Sequence, residues 1–277
     1  MVVSLVCRHL HFAYNRVPVL SAVDLEVQAG EFRVLLGRNG SGKTTLIYCL
    51  AGLLRPQQGT VTIDGLDLAA APRAEIAQRV SLVPQEHADI FPFRVLDVVV
   101  MGRTATFRFA QRPGPEDYLA AHQVLAELEA EALAERNFNR ISGGERRIAL
   151  LARAILQAQN TLLLDEPTNH LDFNNQYRLL EKIKRLCQEK GTRVVASMHD
   201  PNLTARYADT VTMLSQGRVL ASGPTETVMT ARMVGRLYQT PTRRVDVKGG
   251  TPLFAPCTPG QGMDDGKPET APGLRWT

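Results

Sequence analysis

A glycine-rich octapeptide constrains the fold of this chain more than any other stretch. Its members are Gly37, Arg38, Asn39, Gly40, Ser41, Gly42, Lys43 and Thr44. An apolar run at 32–36, which predicts a buried strand, precedes it, and a helix-competent stretch at 45–54 follows it. Glycines let the backbone curl so that its N–H groups converge on an anion, and the start of a helix adds the positive end of its dipole. This strand–loop–helix context predicts a P-loop that binds the phosphates of a nucleoside triphosphate.

Two side chains of the loop have predicted roles of their own. The Lys43 ammonium is expected to reach the β- and γ-phosphates, and the Thr44 hydroxyl to ligate Mg²⁺. A P-loop specifies triphosphate binding but not the fate of the triphosphate. The reaction must therefore be inferred from other motifs.

A second apolar run, 161–164, ends in the two carboxylates Asp165 and Glu166. Both are predicted to project from the carboxyl end of a strand into the crevice where α/β folds hold ligands. Asp165 is expected to hold the Mg²⁺ shell through water. Glu166 is expected to orient and deprotonate an attacking water, a role worth about 10²–10⁴-fold in rate. The pair therefore predicts hydrolysis of the bound triphosphate.

The distribution of apolar runs predicts one α/β unit with a helical insertion. Strands are predicted at 2–6, 23–27, 32–36, 61–63, 80–83, 161–164, 193–197, 211–214 and 218–221. Alternation of strands with helical stretches indicates βαβ units and a parallel sheet. We assign 1–85 and 158–240 to the α/β core and 86–157 to the helical insertion. Residues 241–277 are rich in Pro, Gly and Thr, which predicts a loosely ordered tail, with a docked segment as the alternative.

Composition limits the class of partner. A net charge of +4 over 277 residues is compatible with nucleic-acid binding but does not argue for it, and no nucleic-acid partner is predicted. No apolar run approaches the ~20 residues that span a bilayer, and Arg8 and His9 interrupt the stretch where a secretory signal would be apolar. The chain is therefore expected to be cytoplasmic unless a partner holds it at a membrane.

The segment Ile141-Ser142-Gly143-Gly144-Glu145 lies upstream of the carboxylate strand and resembles the signature motif of ATP-binding cassette (ABC) ATPases. Ser142 and Glu145 also have the spacing of a capping box, which predicts a helix from here to about residue 156. Two adjacent glycines before a helix start expose N–H groups to an anion, which capping alone does not need. The resemblance implies that this helix end faces the γ-phosphate of ATP bound by a second subunit.

Further motifs follow in the order that the family has, over roughly residues 2–240. The resemblance implies that Tyr14 stacks on adenine, with an ordinary tyrosine as the alternative, and that Thr45 hydrogen-bonds the α-phosphate. It implies that Gln85 contacts Mg²⁺ and water, that Asp172 belongs to the D-loop, and that His199 contacts the γ-phosphate and orients the attacking water. The implied fold is α/β, a single ABC domain over 1–240. It comprises a RecA-like mixed-sheet core, an antiparallel β subdomain and an inserted α-helical subdomain.

Two positions depart from the common pattern of the family. Glu145 stands where many members have Gln, which places a carboxylate near a phosphate site unless it turns back to cap its own helix. Asn169-His170 stands where a small pair is commoner. These departures leave details of the interface between subunits open but not the fold.

The resemblance also implies an assembly. One cassette without a membrane segment implies a homodimer that encloses two ATP and that is peripheral on the inner face of the membrane through permease subunits. Residues 86–101 are the expected permease contact, although internal packing accounts for some of these side chains. A periplasmic or surface-anchored substrate-binding protein is expected as an indirect partner.

The segment 98–103, the signature 143–146 and the segment 170–173 are similar to the importer branch that serves ferric siderophores, haem and cobalamin. A related molybdate or tungstate importer shares much of this pattern. An iron chelate is the favoured cargo. The alternative is a soluble ABC ATPase of iron–sulfur cluster assembly, because it would have the same cassette and size.

Overall fold

Two β-sheets, packed on either side of the first helix, organise the chain. The computed structural model describes residues 4–85, 92–107, 111–158 and 160–257. The strands are β1 Ser4–Tyr14, β2 Val17–Gln28, β3 Phe32–Leu36, β4 Gln58–Ile63, β5 Leu66–Asp67, β6 Val80–Val83, β7 Thr161–Asp165, β8 Arg193–Met198, β9 Thr210–Ser215, β10 Arg218–Pro224, β11 Thr242–Val245 and β12 Leu253–Pro256. The helices are α1 Lys43–Leu50, α2 Arg73–Arg79, α3 Val95–Val100, α4 Pro115–Glu127, α5 Gly143–Gln157, α6 Phe173–Lys190, α7 Pro201–Tyr207, α8 Thr225–Val228 and α9 Ala231–Tyr238. Short 3-10 helices occupy Met101–Thr106, Glu131–Leu133 and Phe138–Arg140.

The larger sheet has six strands in the order β10-β9-β3-β8-β7-β6, and all pairs except β10 with β9 are parallel. Its three central strands are buried on both faces, as expected of parallel strands covered by helices. A second sheet, in the order β2-β1-β4-β5, is antiparallel throughout. The mixed-sheet core, the antiparallel sheet and the helices between β6 and β7 confirm the predicted fold class.

Alternate residues of the central strands enter two separate hydrophobic cores. On β8, Val194 and Ala196 belong to the larger core, whereas Val195 belongs to the smaller one beneath the antiparallel sheet. This alternation follows from the two-residue period of a strand. Because both cores share the same strands, the carboxyl ends of β3, β7 and β8 are held in place from both sides.

The turn after β9 touches the antiparallel sheet closely. Gly217 N donates to Ser41 O at 3.1 Å, and Gly217 O accepts from Ser21 N at 2.9 Å. A Cβ atom at Gly217 would lie 2.1 Å from Val19 O, so a side chain there would push β2 away. The loop after β3, strand β2 and the β9–β10 turn therefore meet at one point.

Three differences from the sequence predictions concern element bounds. Strand β1 continues to Tyr14, because irregular pairing near His9 lets it follow β2 and β4 instead of stopping at residue 6. Helix α1 ends at Leu50, before a turn that contains Gly52 with φ 67°.

None of the helices in the described part of the chain has the length and apolar character needed to cross a membrane.

The third difference lies beyond residue 240, where we predicted loose order. Strands β11 and β12 instead form an antiparallel pair. Phe254 of β12 is buried in the larger core, and the Asn202 side chain accepts a hydrogen bond from Phe254 N at 2.7 Å. The described part of this segment is thus held by contacts with α7, a helix that is distant in sequence. Trp276 and the rest of 258–277 lie outside the described residues.

Candidate functional site

A cleft of about 490 Å³ opens at the carboxyl ends of β3, β7 and β8. Its lining consists of Val19, Asn39, Gly40, Gly42, Lys43, Thr44, Thr45, Gln85, Glu166, Asn169 and His199. All of these except Val19 and Asn169 are residues that the sequence placed in the site. Elements from the first half of the chain and strand ends from the second half thus converge on one cleft.

The glycine-rich loop curls around a buried lysine. Gly42 has φ 101°, a backbone conformation that residues other than glycine rarely adopt, and α1 begins at the next residue. The Lys43 ammonium donates to Gly37 O at 2.9 Å and to Arg38 O at 3.1 Å. Burial lowers the pKa of Lys43, and the charges of Glu166 and Asp165 oppose that shift. The loop and α1 therefore hold the positive charge at the floor of the cleft.

Asp165 links the loop to the strand ends beside it. Its Oδ1 accepts hydrogen bonds from Thr44 Oγ1 at 3.1 Å and from Ser197 Oγ at 2.5 Å. The other oxygen, Oδ2, is buried without a hydrogen-bond partner among the described residues. Hard cations such as Mg²⁺ take oxygen ligands of this kind, either directly or through water. An unsatisfied carboxylate oxygen close to the Thr44 hydroxyl fits such an ion.

Glu166 has φ 46°, and hydrogen bonds to its amide and to its carbonyl hold this backbone conformation. Its amide donates to Ser197 Oγ at 2.8 Å, and its carbonyl accepts from the Arg147 guanidinium at 3.0 Å. The same guanidinium donates to Pro84 O at 3.0 Å. A strained backbone held by several partners is common where a side chain has to be aimed.

Four side chains of the cleft lie within 4 Å of the Glu166 carboxylate. Oε2 accepts from Asn169 Nδ2 at 2.8 Å and from Gln85 Nε2 at 3.3 Å, and it lies 3.9 Å from His199 Nδ1. Oε1 lies 3.9 Å from the Lys43 ammonium. The three side chains predicted from sequence to act on water, Glu166, Gln85 and His199, are therefore adjacent in space.

The signature residues form a capped helix start outside this lining. Ser142 Oγ accepts from Glu145 N at 3.3 Å, while Glu145 Oε2 accepts from Ser142 N at 2.8 Å. The Ser142 amide, and secondly the Arg136 guanidinium 2.7 Å away, hold the pKa of Glu145 below its usual range. Glu145 thus turns back onto its own helix, as we expected if it was to avoid repelling phosphate. Ser142 and Gly143 are exposed.

The D-loop and the signature touch each other through Asn175. Asp172 caps α6 by accepting from Asn175 N at 2.8 Å and from Asn175 Nδ2 at 3.0 Å. The side chain of Asn175 also lies against Gly144, where an added Cβ would be 3.0 Å away. The two motifs therefore form one continuous surface.

Several predicted residues lie apart from the cleft lining. The Tyr14 ring is 46% exposed and packs edge-on against Phe12 at 4.8 Å. Arg38 donates to Gln239 Oε1 at 2.7 Å, and Ser41 is buried beneath the loop. The stacking of Tyr14 on adenine stays a prediction.

The predicted permease contact, 86–101, is partly internal. Residues 86–91 are outside the described residues. The four valines and the leucine of α3 are buried in the larger core, which leaves Phe93, 40% exposed, and the ion pair of Arg94 with Asp97 on the outside. Internal packing therefore accounts for the apolar side chains of this helix.

A comparison with known families decides the relationship of the chain. The family model described as ABC transporter matches residues 20–169, which contain the glycine-rich loop, the signature and the carboxylate pair. The chain belongs to the ABC transporter family. It is an ATPase that binds ATP and hydrolyses it in transport.

Relatives of this ABC ATPase are similar over most of their length. The hemin import ATP-binding protein HmuV of Thermobifida fusca is 40% identical over 255 residues, covering 92% of this chain and 89% of that protein. An iron chelatin transport ATP-binding protein of Helicobacter pylori is 35% identical over 239 residues, covering 86% and 94%. A solved metal-chelate type ABC transporter in an inward-facing conformation has a TM-score of 0.82 at 30% identity, covering 93% and 98%.

Three residues of the ABC ATPase site received no role from the sequence. Asn169 was noted only as a departure from the family pattern, and Arg147, two residues after Glu145, received no role. Ser197 ended a predicted strand without further comment. Ser197 is the register partner of Asp165 on the adjacent strand, and no sequence signal for that register was found.

Proposed function

We propose that this chain is the motor subunit of an importer for an iron chelate, and that it works as a homodimer beneath a membrane permease. The observation that carries the catalytic part is the Glu166 carboxylate, which faces the Lys43 ammonium on one side and three polar side chains on the other. A base, its orienting groups and a phosphate-binding cation are thus within one cleft.

In this proposal the loop from Gly37 to Thr45 holds the phosphates through backbone N–H groups, and Lys43 supplies positive charge. Two of the three N–H bonds of the lysine ammonium point at loop carbonyls, which leaves the third for phosphate. Glu166 accepts a proton from the attacking water. Gln85 and Asn169 donate to Oε2 and so keep the carboxylate aimed, while His199 orients the water at the γ-phosphate.

Thr44, Asp165 and Gln85 would hold Mg²⁺. The unsatisfied Oδ2 of Asp165 supports this assignment. The ion would neutralise charge on the phosphate oxygens. Removal of the metal with a chelator is expected to abolish turnover, and an undiminished rate would contradict the assignment.

A second copy of the chain completes the site in this proposal. The exposed residues Ser142 and Gly143 lie at the start of a helix of fifteen residues, which suits an anion held by another molecule. Asp172 belongs to the same surface through Asn175. Closure of the dimer on ATP and its opening after hydrolysis would then move the permease.

The catalytic part is tested with Glu166→Gln. The variant is expected to bind ATP, to hydrolyse it at least a hundredfold more slowly, and to elute as an ATP-dependent dimer. Glu189→Gln, on the exposed end of α6, is the matched control. Normal turnover by Glu166→Gln would remove Glu166 as the base.

Action across the dimer is tested separately with Ser142→Arg. The added side chain should block hydrolysis while monomeric affinity for a fluorescent ATP analogue stays near that of the unsubstituted chain. Wild-type turnover in this variant would contradict a signature that acts on the partner's nucleotide.

The cargo is inferred from what relatives are named to transport, namely hemin in one and iron chelatin in another. The test is the ATPase rate of the chain assembled with its permease and binding protein, with haem, a ferric siderophore, cobalamin and molybdate supplied in turn. Stimulation by an iron chelate is expected. Stimulation by cobalamin or molybdate alone would overturn the cargo, and failure to co-purify with any polytopic membrane protein would favour a soluble assembly factor.

A further inference from the structure

The hydroxyl of Tyr238, at the end of α9, is hydrogen-bonded to the backbone of the cleft histidine. It donates to His199 O at 2.6 Å. Burial, with a smaller contribution from the Asp200 charge, raises the pKa of Tyr238, so the hydroxyl keeps the proton that it donates. Residues 39 positions apart in the chain are thus joined at the point where β8 ends.

The residues that follow the histidine are held by the C-terminal hairpin. Asp200 caps α7 by accepting from Asn202 N at 2.7 Å and from Leu203 N at 3.0 Å. The Asn202 side chain accepts from Phe254 N at 2.7 Å and donates to Phe254 O at 3.3 Å. Because the Phe254 side chain is buried in the larger core, β12 anchors the first turn of α7 immediately after His199.

Among the residues that the structure describes, none forms a hydrogen bond with the imidazole itself. Its side chain is 50% exposed, and Nδ1 is 3.9 Å from Glu166 Oε2, beyond hydrogen-bonding distance. The direction of the ring is therefore set by the backbone to which it is attached. That backbone is held by Tyr238 at His199 itself and by the Asn202–Phe254 contact in the helix turn that follows.

The end of α9 also reaches the phosphate-binding loop. Gln239, next to Tyr238, accepts from the Arg38 guanidinium at 2.7 Å. Gln239 has φ 56°, which ends the helix and turns its side chain from the helix axis toward the loop. Adjacent residues at one helix end thus contact the phosphate-binding loop and the residue after β8.

We propose that α9 and the β11–β12 hairpin are a positioning unit for hydrolysis, with Tyr238 as the positioning residue that fixes His199 relative to Glu166. The inference rests on the role given to His199 in the proposed function. The Tyr238 hydroxyl donates to the histidine backbone, while its ring packs against the larger core. Loss of the hydroxyl alone should therefore disturb the orientation of the imidazole and leave ATP binding unchanged. The effect should therefore fall on kcat and not on KM.

The first experiment compares two Tyr→Phe variants in the full chain. Tyr238→Phe is expected to lower kcat about tenfold, the change in rate that an ordinary hydrogen bond can cause, with KM for ATP unchanged within about twofold. Tyr207→Phe on α7 is the matched control, because it removes a hydroxyl that pairs with Glu181 Oε2 at 3.2 Å instead of with the cleft. Equal kcat values for Tyr238→Phe and the unsubstituted chain would overturn the inference.

The second experiment is a double-mutant cycle with His199→Ala. If Tyr238 acts through His199, Tyr238→Phe should lower kcat in the unsubstituted chain and change nothing further in His199→Ala. Additive losses would overturn the positioning role while leaving the proposed function intact. Full turnover by His199→Ala would instead remove His199 from the proposed function.

A third variant keeps the inference testable should Tyr238→Phe fold poorly. Asn202→Ala removes the contact between Asn202 and Phe254, which is the second contact that holds the backbone near His199. It is expected to show the same fall in kcat with unchanged KM. Its loss should likewise vanish in the His199→Ala background. Thermal unfolding of every variant, measured without nucleotide, identifies any that fail to fold, and additive loss in Asn202→Ala would again overturn the inference.

Discussion

Ser197 Oγ lies 2.5 Å from Asp165 Oδ1, on strands where the two residues are partners in a parallel register. The same hydroxyl accepts the amide of Glu166 at 2.8 Å. One buried hydroxyl, on the strand that leads to His199, therefore fixes both carboxylates at the end of the neighbouring strand. The expected magnesium ligand and the backbone of the expected base are held by a buried side chain that is not part of the cleft lining.

Ser197→Ala should consequently damage both stability and turnover. It removes the acceptor of the Glu166 amide and leaves Asp165 Oδ1 with the Thr44 hydroxyl as its remaining donor among the described residues, which should cost about 1–3 kcal/mol of unfolding free energy. We expect ATPase turnover to fall at least about tenfold because the Glu166 side chain is no longer aimed. Denaturant unfolding and a steady-state ATPase assay measure the two effects. Ser81→Ala is the matched control, because Ser81 is also buried on a strand of this sheet and donates at 3.4 Å to a backbone carbonyl. A similar loss of turnover in both variants would contradict the assignment.

Asn169→Ala tests whether the departure from the family pattern has a function. Asn169 Nδ2 is the nearest donor to Glu166 Oε2, at 2.8 Å. Its removal should lower kcat about five- to tenfold through loss of one charge-assisted hydrogen bond, with little change in KM. Asn174→Ala, at an exposed position early in α6, is the comparison. A change in KM alone would indicate that Asn169 acts on nucleotide binding.

Arg147→Lys should lower both stability and turnover, although the substitution keeps the positive charge. The guanidinium donates through separate nitrogens to Pro84 O and Glu166 O, and a lysine ammonium cannot span both. We expect a loss of about 1–3 kcal/mol in unfolding free energy, together with reduced turnover. Arg178→Lys on the exposed face of α6 should change neither. Retention of full stability by Arg147→Lys would show that the carbonyls find other donors.

The cysteines should separate into two groups in a thiol-labelling experiment. Burial raises the pKa of Cys7, Cys49 and Cys187 to about 12, whereas Cys257 is partly exposed. At pH 8 the buried thiols should be roughly one ten-thousandth ionised, so Ellman's reagent should label Cys257 rapidly and the other three only upon unfolding.

These raised pKa values also predict the direction of alkaline destabilisation. An unfolded thiol ionises near pH 9.0, whereas the folded ones resist ionisation until about pH 12. The folded state therefore binds more protons in this interval, and the free energy of unfolding should fall as pH rises from 9 to 12. Rapid labelling of all four thiols in the folded chain at pH 8 would contradict both predictions.

The strands that carry the site could be predicted closely because their sequence signal is local. Phe32–Leu36 is buried along its whole length, and the run before Asp165 likewise. Such apolar runs are typical of parallel strands regardless of what surrounds them. The glycine-rich loop and the capping box are also local patterns, so their residues and the helices that they start were found from sequence alone.

What could not be predicted depends on partners far apart in the chain. The order of β12 comes from Phe254 and Asn202, 52 positions apart, and no periodic pattern in 241–257 announces it. The hydrogen bonds of Ser197 with Asp165 and Glu166 depend on the register between β7 and β8, which the composition of neither strand determines. The orientation of Glu145 could be stated only as a condition. Its ion-pair partner, Arg136, lies outside the helix that Glu145 caps, and no local pattern indicates that pairing.

Gly217 brings together elements that belong to different sheets. Its amide and carbonyl join the phosphate-binding loop to β2, and Val19 beside it lines the cleft. A nucleotide bound here would lie directly on the seam between the two layers of the domain. Occupancy of the cleft should therefore stiffen both layers at once, and amide protons on the antiparallel sheet, remote from the chemistry, should report whether the motor is loaded.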